Sequence, residues 1–352
     1  MYLSGIATEV PPRRFTQAEC WAALQQAPQF QQLDARSHAL LKKVLCAQNG
    51  IVTRHLAVKN LEEAFVLTPD ALHARFARHA PLLAAKAAKS ALANARLTPS
   101  DVDAVIVSTC TGYLCPGLSS YVSEILGLRS NAHALDLVGQ GCGAALPNWR
   151  TAEALLAAGR AKHVLSVCVE ICSAAFYLDN DPGVLISACL FGDGAAAAVL
   201  SSQPPAHARR VQWKEAISLL NPAERNTLRF EQRNGMLRNI LSREVPALAA
   251  KHVENIFGEL LARQSIRHSD VTGWIMHAGG REVLAAVQKQ LGLNEADLRL
   301  SAAVLRDFGN VSSPFVLFVL ERALAQNAPG GWWWMSSFGA GFSCHGALLM
   351  VD

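Results

Sequence analysis

Charge is scarce in this chain. Asp, Glu, Lys and Arg make up 17% of its 352 residues, against 51% hydrophobic ones. That balance excludes a disordered or scaffolding chain and fits a globular enzyme with a large core. The net charge of +4 comes from scattered Lys and Arg. Without a basic stripe there is no nucleic-acid footprint. No apolar run reaches the roughly 18 residues of a membrane span, so no integral membrane segment is expected. Met1-Tyr2-Leu3-Ser4-Gly5 lacks the charged and apolar regions of a signal peptide. The cysteines lack zinc-ligand spacing, so no metal is expected. Nine of them, an odd number, stand mostly inside apolar runs (Cys110, Cys168, Cys172, Cys189). That pattern predicts reduced thiols and a cytoplasmic protein. Gly192-Asp193-Gly194 lacks the following Lys and helix of a phosphate loop.

What is present is a faint duplication. The spacing predicts an Ala-rich helix over 82–96, then Ser100-Asp101-Val102-Asp103 and a buried strand over 104–110. It predicts a second helix over 247–264, then Ser269-Asp270-Val271-Thr272 and a strand over 273–277. Phe191-Gly192-Asp193-Gly194 precedes a small apolar strand, and so does Phe338-Gly339-Ala340-Gly341. Strands alternating with helices imply an α/β fold whose sheets are buried on both faces. The shared order implies two pseudo-twofold related halves, residues 1–205 and 206–352, joined by the Ser/Pro-rich stretch 201–207.

The residue that carries chemistry is Cys142, in Gly139-Gln140-Gly141-Cys142-Gly143-Ala144-Ala145. A nucleophile between glycines at a strand-to-helix turn is displayed to a substrate, and a helix N-terminus favours its thiolate. His277 ends the second half's central strand before Gly279-Gly280. Asn310 lies in Gly309-Asn310-Val311, which precedes a helix. The duplication points Cys142 and Asn310 at one cavity from two helix N-termini. A thiolate takes an acyl group from a thioester, and an imidazole and an amide donate to the oxyanion or to the enolate left by malonyl decarboxylation. No acidic residue is needed for this, and one would repel the enolate. Each residue alone has a plainer reading: a buried Cys is core packing, a His is a satisfied core residue, and Asn310 is a helix cap.

Four blocks sharpen the reading. The Cys142 block, Phe191-Gly192-Asp193-Gly194-Ala195-Ala196-Ala197, His277-Ala278-Gly279-Gly280 and Gly309-Asn310-Val311-Ser312-Ser313 resemble the signature blocks of type III polyketide synthases, the chalcone-synthase-like family. Order and spacing match along nearly the whole chain. Ser108 to Gly117 is similar to a bacterial version of the block before the nucleophile. The resemblance implies a thiolase-type layered αβαβα fold, a homodimer, acyl-CoA starter and malonyl-CoA as substrates, no cofactor and no metal. It implies Cys142 as nucleophile with His277 and Asn310 as partners, and Phe191 at the cavity mouth. Cys115 falls where plant enzymes carry a methionine that crosses the dimer, and Ala175 where they carry a pocket threonine. Thr111, Ser312, Gly339 and Gly341 belong to the substrate-binding blocks. Lys42, Lys43 and Arg54 fall in the region that meets the CoA phosphates.

There are departures. The C-terminal glycine block lacks the family's proline at Ala340. The second mouth phenylalanine falls at Arg238 or Asn239. Trp332-Trp333-Trp334 reads as buried packing. Lost volume at Cys115, Ala175 and the mouth predicts a channel for a medium- or long-chain acyl tail, and an alkylresorcinol or alkylpyrone product. Two alternatives stand beside this: a type III ketoacyl synthase making one condensation, and a catalytically silent partner subunit. Ala-Gly-Gly after His277, rather than Gln-Ala, favours the polyketide synthase over the first. The survival of Cys142, His277 and Asn310 argues against the second.

Overall fold

The computed structural model describes residues 1–47 and 49–352. Its strands, in chain order, are β1 (Tyr2–Glu9), β2 (Arg14–Thr16), β3 (Thr53–His55), β4 (Ala104–Thr109), β5 (His133–Val138), β6 (His163–Glu170), β7 (Gly194–Ser201), β8 (Val211–Leu220), β9 (Leu228–Arg233), β10 (Met236–Leu241), β11 (Val271–Met276), β12 (Gly331–Gly339) and β13 (Ser343–Val351). Nine of them form one sheet in the order β11-β12-β13-β8-β1-β7-β6-β4-β5. A single residue pair, Tyr2 with Gln212, joins β1 to β8, so the sheet is two blocks that barely touch.

The blocks repeat each other. β1-β7-β6-β4 runs antiparallel, antiparallel, parallel, and β8-β13-β12-β11 does the same. The helices leading into β4 and β11, Pro69–Ala95 and Val245–Gln264, both end on a left-handed residue, Arg96 (φ 55°) and Ser265 (φ 54°). The next turn is closed in the same way each time. Asp101 accepts from Thr98 N at 2.7 Å, and Asp270 from Arg267 N at 2.8 Å. The first helix starts well before residue 82 because Thr68 caps it and Pro69 opens it.

One element breaks the match. The first block has a fifth strand, β5, where the second half has helix Glu295–Phe308. Asn294 caps that helix, with Asp297 completing a capping box, and its apolar residues fall at helical spacing. β5 is also the exception to burial: it lies at the sheet edge and is largely exposed, while every residue of β4 and β7 is buried.

Helices make the layers. Helices Ala145–Ala157 and Phe315–Ala325 touch strands of both blocks and lie between them. The second is apolar nearly all round, as a helix with no wet face must be. Helix Pro69–Ala95 covers the outside of one block, and Val245–Gln264 the outside of the other. The result is α/β in five layers, αβαβα. Trp333 and Trp334 are fully buried and Trp332 is partly so. Trp334 meets Phe257 edge-on at 4.9 Å, which puts the tryptophan run in the core of the second half. Cys172 lies in the turn Cys172–Ala175 beyond β6, not in one strand with Cys168.

Candidate active site

The nucleophile turn is built against the C-terminal glycine turn. Cys142 sits in the tight turn Gly141–Gly143 before helix Ala145–Ala157. A Cβ on Gly143 would stand 2.9 Å from Gly339 N and 2.9 Å from the His345 ring, and one on Gly141 2.8 Å from Ala340 N. Glycine is required at both positions by this approach, and Gly141 also has a φ of 58°. The Ser337 hydroxyl donates to Gly143 O at 3.0 Å and fastens the two turns together. Gly339 thus serves as backing for the cysteine turn, while Gly341 turns away toward Leu220. Ala340, between them, reaches the cavity itself.

A hydrogen-bond chain joins Cys142 to Asn310 and reaches the backbone near His277, without including the His277 ring. The Ser312 hydroxyl donates to Cys142 Sγ at 3.2 Å. Ser312 N donates to Asn310 Oδ1 at 2.9 Å, and Asn310 Nδ2 donates to Gly279 O at 3.1 Å, two residues after His277. His277 is buried, with its ring edge-on to Phe315 at 5.1 Å. Its Nδ1 has no partner among the described residues. Asn310 is pinned by its backbone: its N donates to Leu190 O at 2.9 Å, and its O accepts from Gly192 N at 3.0 Å. It does not cap a helix. The helix that follows starts at Phe315, with Pro314 as its cap residue, so Asn310 stands in a loop rather than at the helix N-terminus.

A buried carboxyl, which sequence reasoning had no use for, completes the site. Glu170, at the end of β6, is fully buried. It accepts from Ser313 Oγ at 2.5 Å, Thr111 Oγ1 at 2.8 Å and Cys110 N at 3.0 Å. Burial raises its pKa, with the hydroxyl donors pulling the other way, so the site holds an acid where none was expected. The signal was a lone Glu closing an apolar strand.

Cys142, Thr111, Ala175, Phe191 and Ser312 all line one cavity. Burial pushes the Cys142 thiol up to about 12 against the pull of Ser312, and pushes the His277 imidazole down to about 3. The thiolate expected from the helix N-terminus is therefore not favoured at an isolated Cys142. Passing the thiol's proton to an imidazole creates both charges together, and each offsets the other's loss of water.

The remaining expected residues fall elsewhere. Cys115 is exposed and away from this cavity. Lys42 and Lys43 are exposed on helix Ala35–Cys46. Arg54 does not join them. Its guanidinium is buried and donates to Ala188 O at 2.7 Å and Phe191 O at 2.9 Å. It holds the mouth residue's backbone and offers nothing to a phosphate at the surface. Asp193 is likewise structural, accepting from Ser173 N at 2.8 Å and Ala57 N at 2.6 Å.

The chain matches the family described as FAE1/Type III polyketide synthase-like protein over residues 10–269. It also matches the C-terminal domain of chalcone and stilbene synthases over residues 214–350. It is 33% identical to 3,5-dihydroxyphenylacetyl-CoA synthase of Streptomyces toyocaensis, over 71% of this chain and 66% of that one. The namesake from Amycolatopsis orientalis is 31% identical over 75% and 72%. The chain is 29% identical to 1,3,6,8-tetrahydroxynaphthalene synthase of Streptomyces peucetius subsp. caesius, over 99% and 92%. The crystal structure of PKS-I from the brown alga Ectocarpus siliculosus superimposes with a TM-score of 0.91 at 27% identity, covering 99% and 98%.

Proposed function

From a chain that belongs to the type III polyketide synthases, acyltransferases that work by decarboxylative Claisen condensation, we propose the following use of its site. Cys142 attacks the carbonyl of an acyl-CoA starter. The C–S bond to CoA breaks, and CoA leaves as the thiol with the proton that Cys142 gave up. Malonyl-CoA then loses CO2, and the resulting enolate carbon attacks the acyl-Cys142 carbonyl, releasing the thiolate. His277 and Asn310 donate to the enolate oxygen. Burial keeps His277 neutral, so it donates a hydrogen bond without supplying a full proton. Both substrates carry their own activation as thioesters, so the scheme uses no cofactor and no metal.

The starter we assign is a medium- or long-chain acyl thioester, and the product an alkylresorcinol or alkylpyrone. One observation carries this: a second, apolar cavity, walled by Leu24, Leu41, Leu45 and Leu61, shares Phe176 and Ala188 with the catalytic cavity. Each tail methylene buried there contributes about 0.8 kcal/mol. Lys42 and Lys43, on the exposed side of the helix whose Leu41 and Leu45 wall that cavity, suit the CoA phosphates. The relatives' names point instead to 3,5-dihydroxyphenylacetyl-CoA and 1,3,6,8-tetrahydroxynaphthalene, which carry no alkyl tail. Competition kinetics from acetyl- to palmitoyl-CoA, with products identified by mass, separates the two. A long-chain preference lost in Ala188→Phe supports the channel. A tail-free aromatic made from malonyl-CoA alone refutes it.

A homodimer follows from the exposed edge. Leu135 and Val138 of β5 and the neighbouring Tyr113 are exposed at 38%, 55% and 68%, and Cys115 is exposed close by in sequence. A second copy pairing there covers this apolar edge. It also brings Cys115 toward the partner's cavity, as the family resemblance implies. The cysteines have no disulfide, which supports a reducing, cytoplasmic location.

A further inference from the structure

The hairpin β9–β10 is separate from the large sheet, and an isolated two-stranded hairpin is marginal on its own. Yet it forms one wall of the catalytic cavity, through Leu228, Arg229, Phe230 and Asn239. Few bonds hold it there. Gly341 N donates to Leu228 O at 3.1 Å, and Asn239 Nδ2 donates to Ser187 Oγ at 2.9 Å. The exposed Arg233 places Nη1 3.9 Å from Asp179 Oδ2, and the closer ion pairs come from Arg238, which is buried. Its Nε donates to Asp179 Oδ2 at 2.7 Å, and its Nη1 to Glu231 Oε1 at 3.1 Å. Its Nη2 lies 3.2 Å from Asp181 Oδ2.

Asp181 has a second task. Its carboxylate caps helix Pro182–Leu190 by accepting from Gly183 N at 2.8 Å. That helix carries Val184, Ser187 and Ala188 on the cavity wall and ends at Phe191. At its start, a side chain on Gly183 would run into the Leu241 carbonyl at the end of the hairpin. One guanidinium thus fastens the hairpin wall to the root of the facing helical wall.

We propose that Arg238 is a positioning residue that sets the gap between these two walls, and so selects which acyl groups reach the Cys142 thiol. The proposal rests on Cys142 being the thiol that is acylated. One buried planar guanidinium reaches three carboxylates from two elements, beside the more exposed Arg229 on Glu231 at 3.0 Å and Arg233 near Asp179 at 3.9 Å. Without it the three repel one another and the hairpin moves off the helix. A lysine ammonium lacks the fork to bridge three acids at once. The family's aromatic mouth is absent at this position, and the gap is set by charge.

The test is the ratio of Cys142 labelling rates for a bulky reagent, N-phenylmaleimide, and a small one, iodoacetamide, with peptide mapping to place the label. In Arg238→Gln the bulky reagent should gain about tenfold over the small one, the order expected for a lost charge-assisted hydrogen bond. Arg238→Lys should fall between the variant and wild type, and discrimination among acyl-CoA starters by kcat/KM should weaken in parallel. Should Arg238→Gln not fold, Glu231→Gln and Asp179→Asn keep Arg238 partnered, and each should show a partial gain. A wild-type ratio in folded variants overturns the proposal, even if their thermal stability is lower. A label mapped to another thiol overturns the assignment of Cys142 instead.

Discussion

Ser312 holds a left-handed backbone conformation, φ 60°, and from it donates its hydroxyl to Cys142 Sγ at 3.2 Å. Such a backbone costs a non-glycine residue about 1 kcal/mol or more, and here it aims a donor at the thiol. That donor opposes the burial that pushes the thiol up. Ser312→Ala should therefore slow iodoacetamide alkylation of Cys142 about tenfold at fixed pH, the size of one lost hydrogen bond to a charged group. Ser312→Gly should slow it equally while relieving the backbone, so the folded protein should lose less stability than with Ala. Equal alkylation rates in wild type and both variants would show that the hydroxyl does not act on the thiol.

The pH dependence of the same reaction tests the role of His277. Burial lifts an isolated Cys142 thiol to about 12 and depresses His277 to about 3, so the proposed route to a thiolate near neutral pH is a pair with imidazolium. His277→Ala should move the alkylation curve to higher pH, with the rate still climbing above about pH 9. Superimposable curves for variant and wild type would remove His277 from the activation of Cys142.

The layers and the Cys142 turn were legible in the sequence because both rest on local chemistry. Buried strands such as β4 and β7 read as unbroken apolar runs. The Cys142 turn reads as glycines forced by a close approach, and their partners proved to be Gly339, Ala340 and His345. What stayed hidden depends on contacts between distant segments. Glu170 looks like any acid at a strand end until β4, β6 and the Ser312 loop meet around it. Arg54 looks like a phosphate ligand until its guanidinium is found inside, on the carbonyls of 188 and 191. β5 and helix Glu295–Phe308 occupy matching places in the chain with different periodicity, so a duplication read from four-residue strings passes over that difference.

Asn310 should serve decarboxylation rather than loading. Its amide already satisfies Gly279 O and Ser312 N, and in the proposed scheme the second Nδ2 hydrogen goes to the enolate. Asn310→Ala should still accept a starter while CO2 release from malonyl-CoA falls by about 100-fold. Radiolabelled CO2 measured beside the acyl-enzyme mass separates the two steps. Loss of both together would make Asn310 a structural residue.

Glu170 should leave a signature in the pH dependence of stability. Burial raises its folded-state pKa above the ordinary 4.5, so the native protein binds that proton more tightly than the unfolded chain. Its contribution is full below the unfolded pKa and is lost as pH rises through the raised native one. Urea unfolding of wild type and Glu170→Gln from about pH 4 to about pH 8 should show wild type losing ground to the variant as pH rises. A constant difference would mean that Glu170 titrates as an ordinary acid.

The central claim is that Cys142 carries the acyl group. Intact-protein mass after brief mixing with an acyl-CoA, in the absence of malonyl-CoA, tests it most directly. Wild type should gain the mass of one acyl group, on the peptide containing Cys142, and Cys142→Ala should gain none. A Cys142→Ala protein that still gains one acyl group, on Cys110 or any other residue, would contradict the account.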